Sequence, residues 1–132
     1  MLLKRGESLV PHFAFDSDTA AGKYMINQRY LVTFDIDWAP DTAIELCLSI
    51  LRKNGSKAIF FATHKTDMNL EILRQGHELG IHPNFLPGSS QGNCFEEIMD
   101  YCLSCAPEAS VMRTHSLVQS TPLLQKIFGL YK

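Results

Sequence analysis

The chain has 132 residues, 45% of them hydrophobic and 20% charged, with a formal net charge of -2. That is the length of one domain with enough apolar material for a core. A mildly acidic balance without a Lys/Arg cluster argues against nucleic acid or an anionic membrane as partner, and no apolar run approaches the roughly 20 residues that a spanning helix needs.

Met1-Leu2-Leu3-Lys4-Arg5-Gly6-Glu7 sets its charges directly after two leucines with no apolar stretch behind them, so no secretory signal is expected and the cytoplasm is the expected compartment. Over residues 1–29, Pro11, Gly22 and scattered Asp, Ser and Thr interrupt any period. This stretch reads as an irregular lead-in with one short strand near 13–15, ahead of a folded domain over 30–132. Tyr30-Leu31-Val32-Thr33-Phe34-Asp35-Ile36-Asp37 is β-branched and aromatic, as a buried strand requires. Pro40 and Asp41 open a helix whose apolar residues Ile44, Cys47, Leu48 and Leu51 recur at helical spacing, and Gly55 closes it.

A second strand is expected over 57–63, a short helix over 69–75 ended by Gly76, and a short third strand over 78–82. Between Pro83 and Gly92 runs a loop of Pro, Gly, Ser and Asn long enough to carry function. Asn93 caps the next helix, with Glu96 at the capping-box spacing. A fourth strand is expected over 110–115, and Thr121-Pro122 starts a last helix ending at Gly129. Strand and helix in repeated alternation mean an α/β fold with a parallel sheet. Units of about 25 to 30 residues amount to roughly half of the eight in a full barrel, so the chain is either an open α/β sheet or part of a (β/α) barrel.

Cys47, Cys94, Cys102 and Cys105 read as reduced thiols. Cys102 and Cys105 have the spacing of a redox or zinc pair. They fall in a helical stretch, however, and no second pair completes four ligands, which favours packing.

In parallel α/β folds the reactive groups stand at the carboxyl ends of the strands. Strand one ends in Asp35-Ile36-Asp37, strand three in His82-Pro83-Asn84 and strand four in Arg113-Thr114-His115. Residues two apart on a strand share a face, so three polar pairs converge on one end of the sheet. Carboxylates, imidazoles, an amide and a guanidinium in one mouth are costly to bury without a compensating charge, which a divalent cation supplies. Carboxylate oxygen with imidazole nitrogen suits zinc or another first-row ion, and three protein ligands leave a position open for catalysis. The reaction class is metal-assisted hydrolysis, with the spare carboxylate as general base. Each residue also has a plainer role: Asp35 and Asp37 as caps for the helix at Pro40, His82 and His115 as hydrogen-bonded structural residues, Trp38 as core. His12, His64 and His77 carry no geometric argument, although His64 ends strand two.

Val32-Thr33-Phe34-Asp35-Ile36-Asp37, then Lys57-Ala58-Ile59-Phe60-Phe61-Ala62, then Gly76-His77-Glu78-Leu79-Gly80-Ile81-His82-Pro83 together resemble the polysaccharide deacetylase family with the NodB-homology domain. The resemblance covers about residues 31–120. It implies part of a distorted (β/α) barrel, a divalent metal, usually zinc, and removal of acetyl groups from N-acetylated sugars of a polysaccharide or glycan precursor. The family's first motif, Thr-Phe-Asp-Asp-Gly, has the general base first and a metal ligand second. Asp35 matches the base, Ile36 stands at the metal position, and Asp37, one step later, is assigned to metal, the two roles being exchangeable on sequence alone. Of the second motif's two histidines, His82 matches the first while Leu86 occupies the second position. His115 is therefore the expected further ligand and Asn84 the reserve. Arg113 matches the Arg that orients the base, with His115 where Pro is usual. Asn84 and Trp38 are expected at the substrate. The family's later motifs lie beyond Lys132, which implies a partial member whose last strand leaves a parallel edge for a second copy to cover.

Two rivals remain. A haloacid-dehalogenase-like phosphatase also ends strand one in Asp-x-Asp and would use Thr63, but Ala39 stands where it has Thr or Val and no later acidic pair holds magnesium. An inactive sugar-binding module would keep the fold and drop the catalysis.

Overall fold

The computed structural model describes residues 31–130. Tyr30, His12 and the strand expected near 13–15 lie outside them. The elements run β1 (Val32–Asp35), α1 (Asp41–Lys53), β2 (Ala58–Ala62), α2 (Met68–Arg74), β3 (Glu78–Ile81), α3 (Phe95–Cys105) and α4 (Thr121–Leu130), with a 3-10 turn, His115–Leu117, ahead of α4. Among the described residues no helix is long and apolar enough to cross a membrane.

The strands are parallel in the order β1-β2-β3, with Asp35 opposite Phe61 and Phe61 opposite Gly80. Sequential order fits strand–helix units laid side by side. β2, flanked on both sides, is buried at all five positions. β1 departs from the expected buried strand: it lies at the edge of the described sheet, and Val32 and Asp35 are exposed. Over 110–115, where a fourth strand is expected, Met112 forms a parallel bridge with Ile81 of β3 rather than a regular ladder among the described residues. Ile81 N–H to the Val111 carbonyl and Arg113 N–H to the Ile81 carbonyl, each 3.1 Å, are its rungs. Pairing stops there because His115 N–H turns to the carbonyl of Pro83 at 2.9 Å and the chain then reverses through Ser116 and Leu117, at φ 54° and 52°.

Alternation along β2 separates two apolar clusters. Ala58, Phe60 and Ala62 pack with Ile44, Leu48 and Leu51 of α1, Ile72 of α2, Ile98, Met99 and Cys102 of α3 and Ile127 of α4. Ile59 and Phe61 face the other way and meet Val111. All four helices therefore contribute to the cluster on one face, and the opposite face is lined by strand residues. Among the described residues this is the arrangement of a barrel wall with helices on its outer side, not of a sheet with helices on both faces. Gly80 makes the inner face possible, because a Cβ there would lie 2.8 Å from both Phe61 Cδ1 and Val111 Cγ2.

Cys102 and Cys105 are buried in the helix-side core, where desolvation pushes the Cys102 thiol up to about 12 and raises Cys105 as well. That is the behaviour of packing cysteines. The α3 cap differs from expectation: Cys94, exposed, is the N-cap, and Glu97 rather than Glu96 reaches back, accepting the Asn93 N–H at 2.8 Å.

Candidate active site

Asp35 is the last residue of β1, and its side chain falls on the inner face with Thr33. Arg113, just past the Met112 bridge, lies across that face. Its Nη1 donates to Asp35 Oδ1 at 2.8 Å, its Nη2 to Thr33 Oγ1 at 3.1 Å, and its guanidinium stacks 4.5 Å from the Phe61 ring centroid. A guanidinium held by stacking and two hydrogen bonds fixes the direction of the carboxylate it binds.

Asp37 reaches the same mouth by a different route from the one expected. The strand has ended, and Asp37 and Trp38 are consecutive non-glycine residues in left-handed backbone, at φ 46° and 59°. This backbone costs Trp38 roughly 1–2 kcal/mol and Asp37 less. Buried Ile36 anchors the turn, its N–H bonded to the Phe61 carbonyl at 3.1 Å and its carbonyl to Ala39 N–H at 2.8 Å. Trp38 N–H donates to Thr63 Oγ1 at 3.0 Å. The turn, and not a shared strand face, aims Asp37 away from Arg113 and toward the histidines.

His82 follows β3 directly and is 1% exposed. Its Nδ1 lies 2.7 Å from the carbonyl oxygen of Arg113. A carbonyl only accepts, so Nδ1 carries the hydrogen and Nε2 of the neutral ring presents its lone pair. That Nε2 faces Asp37 Oδ1 at 3.3 Å. Two lone pairs so placed call for a proton or a cation between them. Burial pushes the His82 imidazole below its ordinary value, outweighing the pull of Asp35, the Arg113 carbonyl and Asp37, which disfavours the extra proton. A cation is the other group that these atoms could hold.

His115, at the start of the 3-10 turn, brings Nδ1 to 3.0 Å from the same Asp37 Oδ1, with its ring edge-on to that of His82. One ligand atom from each of Asp37, His82 and His115 lies within 4.8 Å of the others. A tetrahedral ion with bonds of about 2.0 Å sets its ligands about 3.3 Å apart, close to both acid–imidazole separations. The carbonyl behind His82 is the outer partner that metal-binding histidines usually have. The Asp37 side chain is 52% exposed, so the mouth is open to solvent.

Trp38 stands over the group, its ring 5.7 Å from that of His115 and edge-on to it. The side chain of Asn84 is engaged locally: its Oδ1 accepts the Leu86 N–H at 3.0 Å, forming a turn at the start of the loop. His64 lies outside the Asp37, His82 and His115 group and shares a 3.0 Å hydrogen bond with Thr63 Oγ1. His77 is a buried structural residue, its Nδ1 accepting the Ala58 N–H at 3.3 Å.

Two residues have structural duties at the site that the sequence did not suggest: Gln91 carries no motif, and Thr63 enters only as the hydroxyl of the phosphatase alternative. Buried Gln91 donates from Nε2 to the carbonyls of Thr63 and His82, at 3.0 and 3.1 Å, and its Oε1 accepts the Asn84 N–H at 2.7 Å. One amide thus ties the ends of β2 and β3 to the loop. Thr63, fully buried, serves the Asp37 turn through its hydroxyl. The available signals were a lone Gln in a Gly/Ser loop and a Thr at a strand end.

Residues 32–131 match the family model of the WbmS-like polysaccharide deacetylases. Among solved structures, a Bordetella bronchiseptica protein assigned as a polysaccharide deacetylase involved in O-antigen biosynthesis is similar to this chain, at 38% sequence identity and a TM-score of 0.70. The likeness covers 78% of this chain and 44% of that one, so the chain spans less than half of that protein's length. No curated protein matches the sequence.

Proposed function

This chain belongs to the WbmS-like polysaccharide deacetylase family, and from that we propose that it takes part in hydrolysing the acetamide of an N-acetylated sugar in a polysaccharide or its precursor. The observation that carries the reading is the pairing of two separate constellations, Asp35 with Arg113 and Asp37 with His82 and His115. Asp37, His82 and His115 would hold a divalent ion, and an oxygen with two imidazole nitrogens suits zinc. When bound, the ion supplies polarisation of the acetamide carbonyl and a lowered pKa for water.

Asp35 is the general base in this reading. Arg113 occupies its Oδ1, which leaves Oδ2 to take the proton of the attacking water. Thr33 and Phe61 hold the guanidinium and so fix the carboxylate against rotation. Trp38 walls the mouth beside His115 and offers an apolar surface to a sugar ring; Asn84, whose Oδ1 is taken by the Leu86 N–H, has its Nδ2 to offer a substrate. The proposed substrate class is an acetylated sugar of a surface glycan, in keeping with the O-antigen role given to the Bordetella protein. Four free thiols suit a reducing, cytoplasmic setting. The phosphatase alternative needs the Thr63 hydroxyl for substrate, yet that hydroxyl already accepts from Trp38 N–H and bonds His64.

The test is acetate release from N-acetylated oligosaccharides by the zinc-loaded protein. We expect turnover that falls about 100-fold or more in Asp35→Asn while zinc still binds. Equal turnover in wild type and Asp35→Asn would remove Asp35 as base.

A further inference from the structure

We propose that Thr63 is a positioning residue for the metal-binding group, holding Asp37 in place by accepting the Trp38 N–H; the inference rests on the reading of Asp37 as a metal ligand. Asp37 and Trp38 sit in left-handed backbone, which Asp tolerates better than most residues and which a bulky residue such as Trp rarely adopts. Such a turn persists only where its surroundings over-determine it. Of the bonds that hold it, Ile36 N–H to Phe61 and Ala39 N–H to Ile36 use backbone acceptors that any sequence supplies. The bond from Trp38 N–H to Thr63 Oγ1, 3.0 Å, depends on one side chain.

Thr63 is well placed for this duty. It follows β2 directly and is fully buried, so its hydroxyl has no water to turn to. Its carbonyl accepts from Gln91 Nε2 at 3.0 Å, and the same amide nitrogen donates to the carbonyl of His82 at 3.1 Å. Through Gln91 the residue behind Asp37 and the backbone of His82 are fixed to one another. Losing the hydroxyl lets Trp38 N–H seek water and lets the turn relax toward ordinary backbone, carrying the Asp37 carboxylate away from His82 and His115.

Thr63→Val keeps the shape and removes the acceptor, whereas Thr63→Ser keeps the acceptor. Cobalt(II) titration of the purified wild type and both variants, read by affinity and by the d–d absorption bands, tests the proposal, with unfolding temperatures measured alongside. The expected result is wild-type bands and affinity in Thr63→Ser, with altered bands and affinity roughly 10- to 100-fold weaker in a folded Thr63→Val. Wild-type affinity and bands in Thr63→Val overturn the positioning role while leaving Asp37 as a ligand. If the wild type binds no cobalt, the reading of Asp37 fails and the inference goes with it. Should the Val variant not fold, Thr63→Ala takes its place, and wild-type cobalt binding there is equally fatal. If neither variant folds, Thr63 serves folding and the positioning role is rejected.

Discussion

The carbonyl oxygen of Arg113 lies 2.7 Å from Nδ1 of His82, while the guanidinium of the same residue binds Asp35 at 2.8 Å. Backbone and side chain of one residue thus serve the two halves of the site, and substitution separates them. In Arg113→Lys the carbonyl remains, so zinc affinity should stay at the wild-type level. The stacked, forked contact to Asp35, Thr33 and Phe61 is lost, and kcat/KM for acetate release should fall about 10- to 100-fold. Zinc titration and steady-state kinetics on the same variant check both halves.

Gly80 carries the inner wall on which Arg113 rests. A methyl at this position would meet Phe61 and Val111 at 2.8 Å, and such overpacking costs typically about 1–3 kcal/mol. Gly80→Ala should lower the urea midpoint accordingly and reduce activity, because the displaced Phe61 ring no longer seats the guanidinium. An unchanged midpoint would show that the wall yields freely.

Buried His77 gives stability a pH dependence away from the site. Desolvation, and then the Lys57 charge, hold its imidazole below the ordinary 6.5. The unfolded chain therefore takes up a proton before the folded one does, and folding stability is full above pH 6.5 and declines as pH falls below it toward the folded value. In metal-free protein His82 adds a contribution of the same sign. Urea midpoints at pH 7.5 and 5.5 should show a lower value at pH 5.5, with a smaller difference in His77→Gln.

The sequence made the alternating elements legible because their patterns are local. The apolar spacing of Ile44, Leu48 and Leu51 and the Ala58–Ala62 strand came out within two residues of their expected positions. Asp35, Asp37, His82, Arg113 and His115 were singled out because charged groups at strand ends have few structural uses. Roles could be assigned to them by resemblance, but which of Asp35 and Asp37 faces the histidines stayed open. That depends on the left-handed turn at Asp37 and Trp38, which overrides the two-residue alternation of a strand. Nor could it be seen that pairing with β3 ends before His115, since its N–H bonds a carbonyl 32 residues earlier, that of Pro83. Gln91 binds backbone carbonyls, which any sequence offers, and Thr63 was legible only as a strand-end hydroxyl, not as the acceptor of the Trp38 N–H.

Zinc should stabilise the folded protein by mass action. At 100 times its dissociation constant the gain is about 2.7 kcal/mol, enough to raise Tm by several degrees. Asp37→Asn and His82→Ala should lose most of this shift, and a chelator should reverse it in the wild type. A full shift in both variants would place the ion elsewhere.

X-ray absorption at the zinc edge reports the donor atoms themselves. For the zinc-loaded protein we expect oxygen and nitrogen neighbours at about 2.0–2.2 Å, with the outer-ring scattering of two imidazoles and no sulfur shell. A sulfur shell near about 2.3 Å, or the absence of imidazole scattering, would contradict a site built from Asp37, His82 and His115.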